Sequence, residues 1–192
     1  MVSKRFFKMV VVLGFFGVLV AVGTSLVQTD LRAQPTFAMW MNHLDLLPGD
    51  PSLLTSFNAT NSAIGSGLSG LVIQSTTVGD KALTGGNKVV ETGLAVPPGY
   101  LVTGVRICYQ ATSFASFVTQ VRLAQLQDPP NSAVVILDDG TDQLNPGPIC
   151  VNSQPTTADP RLGALRLSIR FNFGNLADRI VIRGIGLRLQ PL

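Results

Sequence analysis

The run from Gly163 to Phe173 constrains this chain more than any other stretch. Leu165, Leu167, Ile169, Phe171 and Phe173 alternate without a break with Arg166, Ser168, Arg170 and Asn172. Successive side chains of an extended strand point to opposite faces, so this is a strand with one apolar and one polar face. A second apolar run, Ile180 to Leu189, follows after Gly174-Asn175-Leu176-Ala177-Asp178. Its phase breaks midway: Ile180 and Ile182 share one parity, while Ile185, Leu187 and Leu189 share the other. One extra residue at Arg183-Gly184 restores a single apolar face, and glycine suits a bulge.

The two runs read as an antiparallel hairpin. In that register Phe173 pairs with Ile180, Phe171 with Ile182, Ile169 with Ile185, Leu167 with Leu187 and Leu165 with Leu189. The outer face then carries Arg166, Arg170, Arg179, Arg183 and Arg188. Such a face can grip sulfates, carboxylates or phosphates through paired N–H donors. Its alternative is an ordinary solvated face balanced by neighbouring acids.

Upstream, from Gly70, the pattern is also β. Short apolar or alternating runs at Leu71–Ile73, Lys88–Val96, Tyr100–Gln110, Ser116–Leu126, Ala133–Leu137 and Ile149–Val151 are separated by turn chemistry. The turns include Asp128-Pro129-Pro130-Asn131 and Asn145-Pro146-Gly147-Pro148. Asp138-Asp139-Gly140-Thr141 after an apolar strand signals a hairpin. With the last two runs this makes about eight short strands. No helical pattern alternates with them. The chain is therefore expected to be all-β, an antiparallel β-sandwich of jelly-roll type over residues 70–192.

Residues 34–69 are the least regular. They hold Trp40 and the single histidine, His43, then a Ser/Asn/Gly-rich stretch. They read as an irregular arm or linker. Phe37, Met39, Trp40, Leu44 and Leu46 are too apolar for a fully solvated tail and are expected to pack on the sandwich or touch a partner. Asn58-Ala59-Thr60 matches the N-glycosylation acceptor pattern.

The first 33 residues have the form of a targeting segment. Lys4, Arg5 and Lys8 precede an uncharged run from Met9 to Gly23, and small residues follow. This fits a secretory signal; with Ser25, Leu26 and Val27 the run also approaches spanning length, so an uncleaved anchor over residues 9–27 is the alternative. The chain is expected to be secreted or periplasmic, touching a membrane only through that segment. It has 14 basic and 11 acidic residues. Cleavage after Ala33 removes Lys4, Arg5, Lys8, Arg32 and Asp30 and leaves ten of each sign. A neutral mature chain argues against a nucleic-acid partner, which would need net positive charge in the domain itself.

Cys108 and Cys150 are the two cysteines. In an exported chain they are expected to form a disulfide. Closing a loop of this length restricts the unfolded chain by about 4 kcal/mol in the entropy model.

Catalytic chemistry is hard to place. His43 would have to serve any Ser-His-Asp or Cys-His arrangement, and nothing around it suggests a nucleophile elbow. One histidine and two paired cysteines leave no zinc set. Gly65-Ser66-Gly67 lacks the strand-to-helix context and lysine of a phosphate loop. Asp138, Asp139 and Asp142 offer oxygens for calcium, yet their spacing misses the EF-hand loop, and turn acids are commonplace. No cofactor is expected. The sequence favours an exported, non-enzymatic β-sandwich that binds a glycan or other surface polymer. A structural or assembly subunit, with a possible homo-oligomer, is the alternative; a hydrolase using two carboxylates comes last.

Overall fold

A computed structural model describes residues 36–57, 70–127 and 129–192. Compactness divides the chain into residues 1–34 and 35–192, and the described residues all belong to the second unit. The expected targeting segment, the Asn58 acceptor pattern, Gly65-Ser66-Gly67 and Asp128 lie outside the described residues.

Among the described residues eleven strands make up the fold: β1 Phe37–Met41, β2 Leu47–Pro48, β3 Leu53–Phe57, β4 Leu71–Ser75, β5 Val89–Leu94, β6 Tyr100–Ala111, β7 Phe117–Leu126, β8 Ala133–Asp139, β9 Ile149–Asn152, β10 Leu165–Asn172 and β11 Ile180–Pro191. The eight strands expected from residue 70 onward are all present. The other three come from residues 37–57, the supposed arm, which lays strands along both sheets.

The first sheet has the order β3-β4-β11-β6-β9, and β1 also pairs with β11. The second has the order β2-β5-β10-β7-β8. All pairings are antiparallel. From β4 onward the chain steps between sheets, placing 4-11-6-9 against 5-10-7-8. Two antiparallel sheets interleaved this way are a jelly roll.

The expected β10–β11 hairpin is absent. β10 sits between β5 and β7 in the second sheet, and β11 lies in the first, beside β4, β1 and β6. Alternation fixes which face is buried; it does not say which strand lies alongside. The connection after Asn172 carries the chain across the core, so the two apolar faces meet face to face. All ten residues paired in the hairpin register, from Leu165 to Leu189, still share one buried cluster. The Asp138–Thr141 hairpin fails likewise, because β8 and β9 belong to different sheets.

The bulge is found where the phase break put it. The register of β11 against β6 shifts between Ile182 and Gly184, leaving Arg183 as the extra residue. It falls where β11 passes from β4, paired at Ile180–Ile182, to β1, paired at Ile185–Leu189.

Four inter-sheet connections, β4–β5, β6–β7, β8–β9 and β10–β11, gather at one end of the sandwich. The register shows this: Ile180 lies opposite both Ile73 and Ala111, and Asn172 opposite Phe117. Lys88 organises that end. Its side chain is fully buried. Its ammonium donates to the carbonyls of Thr77, Val78 and Gly79 and lies 5.7 Å from the centre of the Phe173 ring. Three acceptors match three N–H donors, which is how a buried charge is tolerated; burial still pushes its pKa down. Asp50 is the acidic counterpart. Hydrogen bonds from Ser52 and Thr84 hold its carboxyl far below the usual carboxylate range.

Candidate functional site

The five arginines assigned to one face are divided among three places. Arg166 and Arg170 project from β10 on the outer face of the second sheet. Arg183 and Arg188 belong to β11 in the first sheet. Arg179 precedes β11 in the loop, where its backbone N–H donates to Thr112 Oγ1. No single arginine face exists, because β10 and β11 are not neighbours.

On the second sheet the arginines are matched with acids. The register sets Glu91, Ser168, Arg122 and Asp138 in one row across β5, β10, β7 and β8. Arg122 makes a two-point contact with Asp138, at 3.1 Å from both Nε and Nη2, and Gln120 donates to the same carboxylate. Ser168 Oγ donates to Glu91 at 2.6 Å, and Arg166 Nη1 lies 3.5 Å from the other Glu91 oxygen. Arg170 donates from Nε to Thr119 Oγ1 and reaches Asp80 at 3.8 Å.

The first sheet differs. β1 alternates, with Met39 and Met41 toward the core and Ala38 and Trp40 outward, while Phe37 at its start stays exposed. Met39 and Met41 pack against the core. Trp40 lies opposite Gly186, Gly186 opposite Arg106, and Arg106 opposite Asn152, which makes a row across β1, β11, β6 and β9. A neighbouring row runs Ala38, Arg188, Gly104. The glycines make room for the indole. A Cβ on Gly184 would stand 3.2 Å from Trp40 Cζ3, and one on Gly186 3.5 Å from Cε3. Trp40 thus rests on a glycine shelf with more than half of its surface, 56%, still open.

Beside it lies a groove of about 370 Å³ lined by Thr36, Phe37, Ala38, Trp40, Arg106, Asn152 and Arg188. Phe37 is steadied by an edge-on contact with Tyr100, their ring centres 5.3 Å apart. Arg106 Nη1 donates to Asn152 Oδ1 at 2.9 Å. On its other side Trp40 borders a pocket of about 340 Å³ that contains Asn42 and Asp45. Cys108 and Cys150, opposite each other on β6 and β9, form the disulfide two residues from Arg106 and Asn152.

The remaining sequence candidates do not converge. Asp138 faces outward to Arg122, whereas Asp139 is buried and accepts from the backbone N–H groups of Thr141 and Gln154. Adjacent strand residues point to opposite faces, so these two carboxylates cannot share an ion. Among the described residues no group of three or more His, Cys, Asp or Glu, Asp142 included, is placed to hold a metal. His43 sits in a short 3₁₀ turn, where burial lowers its pKa. Among the described residues no helix is long and apolar enough to cross a membrane.

The residues that build the groove were mostly outside the sequence-level candidates. Two sequence signals point to it: the alternation Phe37-Met39-Met41 against Ala38-Trp40, and the Gly184/Gly186 pair on the polar phase of β11. Small residues there leave a place for a large side chain from elsewhere.

No protein-family model matches the chain, and no curated protein does. Solved structures of similar chain course exist. The Clostridium thermocellum endo-1,4-beta-D-xylanase 10B CBM22-1–GH10 modules, complexed with xylohexaose, are 8% identical at a TM-score of 0.49, over 83% of this chain and 28% of that one. The CBM22-1 xylan-binding domain of Paenibacillus barcinonensis Xyn10C is 9% identical at a TM-score of 0.46, over 85% and 99%. A family two carbohydrate esterase from Cellvibrio japonicus is 13% identical at a TM-score of 0.34, over 82% and 36%. The chain thus spans about a quarter of the xylanase chain and about a third of the esterase chain.

Proposed function

We propose that this protein is a non-catalytic glycan-binding module that works at the surface of a sugar polymer, and that its binding site is the groove beside Trp40. One observation carries the reading: an indole laid on a glycine shelf, half exposed, next to Arg106, Asn152 and Arg188. A pyranose ring has a face of C–H groups and a rim of hydroxyls. The C–H face is weakly positive and suits the negative face of an aromatic ring. The rim needs donors and acceptors, which the guanidinium forks and the Asn152 amide supply. The platform is already ordered by its packing, so little freedom is lost on binding. No reaction is assigned, since among the described residues no carboxylate pair lines this groove.

The test is a glycan array with the full chain, followed by titration of the best hit with Trp40→Ala. The variant should weaken binding by about 2 kcal/mol, roughly thirtyfold, as central aromatic contacts do. A wild-type chain that binds no glycan, or a Trp40→Ala chain that binds as well as wild type, overturns the reading. The assembly alternative makes a different demand: a discrete wild-type oligomer that dissociates in Trp40→Ala.

A further inference from the structure

We infer that the ligand in the Trp40 groove is an acidic glycan, carrying carboxylate or sulfate groups, and that Arg188 holds its anionic group. This rests on the glycan reading of the same groove. The first support is the charge of the two sheets. The six strands of the first sheet carry three arginines, Arg106, Arg183 and Arg188, and no acidic side chain. The strands of the second carry three arginines and three acids, Arg122, Arg166 and Arg170 against Glu91, Asp138 and Asp139. Among the strand residues, arginines without strand acids beside them are therefore found on the sheet where the aromatic platform stands. A surface of one sign concentrates ligands of the other.

The second support is Arg188 itself. Its stem lies over the sheet, with Cδ 3.5 Å from where a Cβ on Gly104 would stand. The stem is therefore constrained while the head borders the groove. Among the described residues its guanidinium has no hydrogen bond or ion pair. Arg166, Arg170 and Arg122 all have such partners. Arg106 uses one N–H on Asn152 and keeps the rest of its fork. Among the described residues no carboxylate lines the groove. Carboxylate and sulfate both offer two oxygens at the spacing of a guanidinium fork.

The experiment compares each polymer with its uncharged parent, using the full chain at fixed salt. Polygalacturonate is set against its fully methyl-esterified form, and dextran sulfate against dextran. At least one acidic polymer should bind about tenfold or more tightly than its parent, and Arg188→Gln should remove that advantage. Whichever pair shows the advantage identifies carboxylate or sulfate as the anion. Arg188→Lys keeps the charge without the fork and should recover only part of it; it also keeps the test open if the glutamine variant does not fold. Arg166→Gln, on the opposite sheet, should bind as wild type does. Equal binding of charged and uncharged polymers overturns the acidic-ligand inference and leaves the glycan reading standing. So does an Arg188→Gln chain that keeps its preference while Trp40→Ala loses binding. Acidic-polymer binding that survives both Trp40→Ala and Arg188→Gln overturns inference and reading together.

Discussion

The two outer faces of this sandwich carry the same number of strand arginines and use them differently. On the second sheet they are woven with Glu91, Asp138 and Asp80 into ion pairs that close the face upon itself. Exposed pairs of this kind contribute little to stability, but they leave no guanidinium waiting for a partner. On the first sheet glycines replace the acids. Gly104, Gly184 and Gly186 lower the floor, Trp40 and the Arg188 stem settle onto it, and Arg106 and Arg188 have no acid on the strands beside them. An arginine on a sheet is therefore poor evidence of a binding site until its cross-strand neighbours are known.

The sheets also differ covalently, and the largest expected effect follows from that. The disulfide fastens β9, a short edge strand, to β6, with a separation of 42 residues along the chain. Replacing both cysteines by alanine should lower stability in denaturant titration by about 4 kcal/mol, less any relaxation gained. Glycan binding should weaken as well, because β9 presents Asn152 to Arg106. An unchanged midpoint would show that β9 is held by its ladder alone.

Next in size is the glycine shelf. Gly184→Val puts a Cβ 3.2 Å from Trp40 Cζ3, tighter than ordinary contact, and adds two methyl groups beyond it. The indole must lift or turn, at a cost of about 1–3 kcal/mol in binding, roughly five- to 150-fold, read by titration against the array hit. Global stability should change less, since valine favours a strand and the outer face has room to adjust. A variant that binds as wild type does would mean that the shelf does not position Trp40.

Much of this architecture was legible in the sequence. Apolar or alternating runs bounded by turn residues identified the eight strands from residue 70 onward, and alternation identified the inward residues of β10 and β11 and the bulge at Arg183. Each is a local property of the chain. Sheet membership was not legible. Leu165–Phe173 and Ile180–Leu189 carry the same pattern whether they pair edge to edge or pack face to face, and only the path of the loop between them decides. β1 was hidden for another reason. Met and Ala have weak strand preference, and the strand owes its place to packing on β11. β2, only Leu47 and Pro48, has too few residues to carry a pattern. The groove depended on all of these at once, since it joins β1, β11, β6 and β9.

The smallest expected effect tests the comparison most directly. Glu91 serves both Arg166 and Ser168. Glu91→Gln keeps a hydrogen-bond acceptor for Ser168 and removes the charge that answers Arg166. The pair is exposed on the arginine side, so stability should fall by less than about 1 kcal/mol in thermal or denaturant unfolding. Its consequence for binding matters more. If pairing is what keeps the second sheet from binding anions, the variant should acquire weak, salt-sensitive affinity for dextran sulfate that survives Trp40→Ala. If no such affinity appears, charge alone does not make a site on this fold. The shelf that holds Trp40 would then be the decisive difference between the two faces.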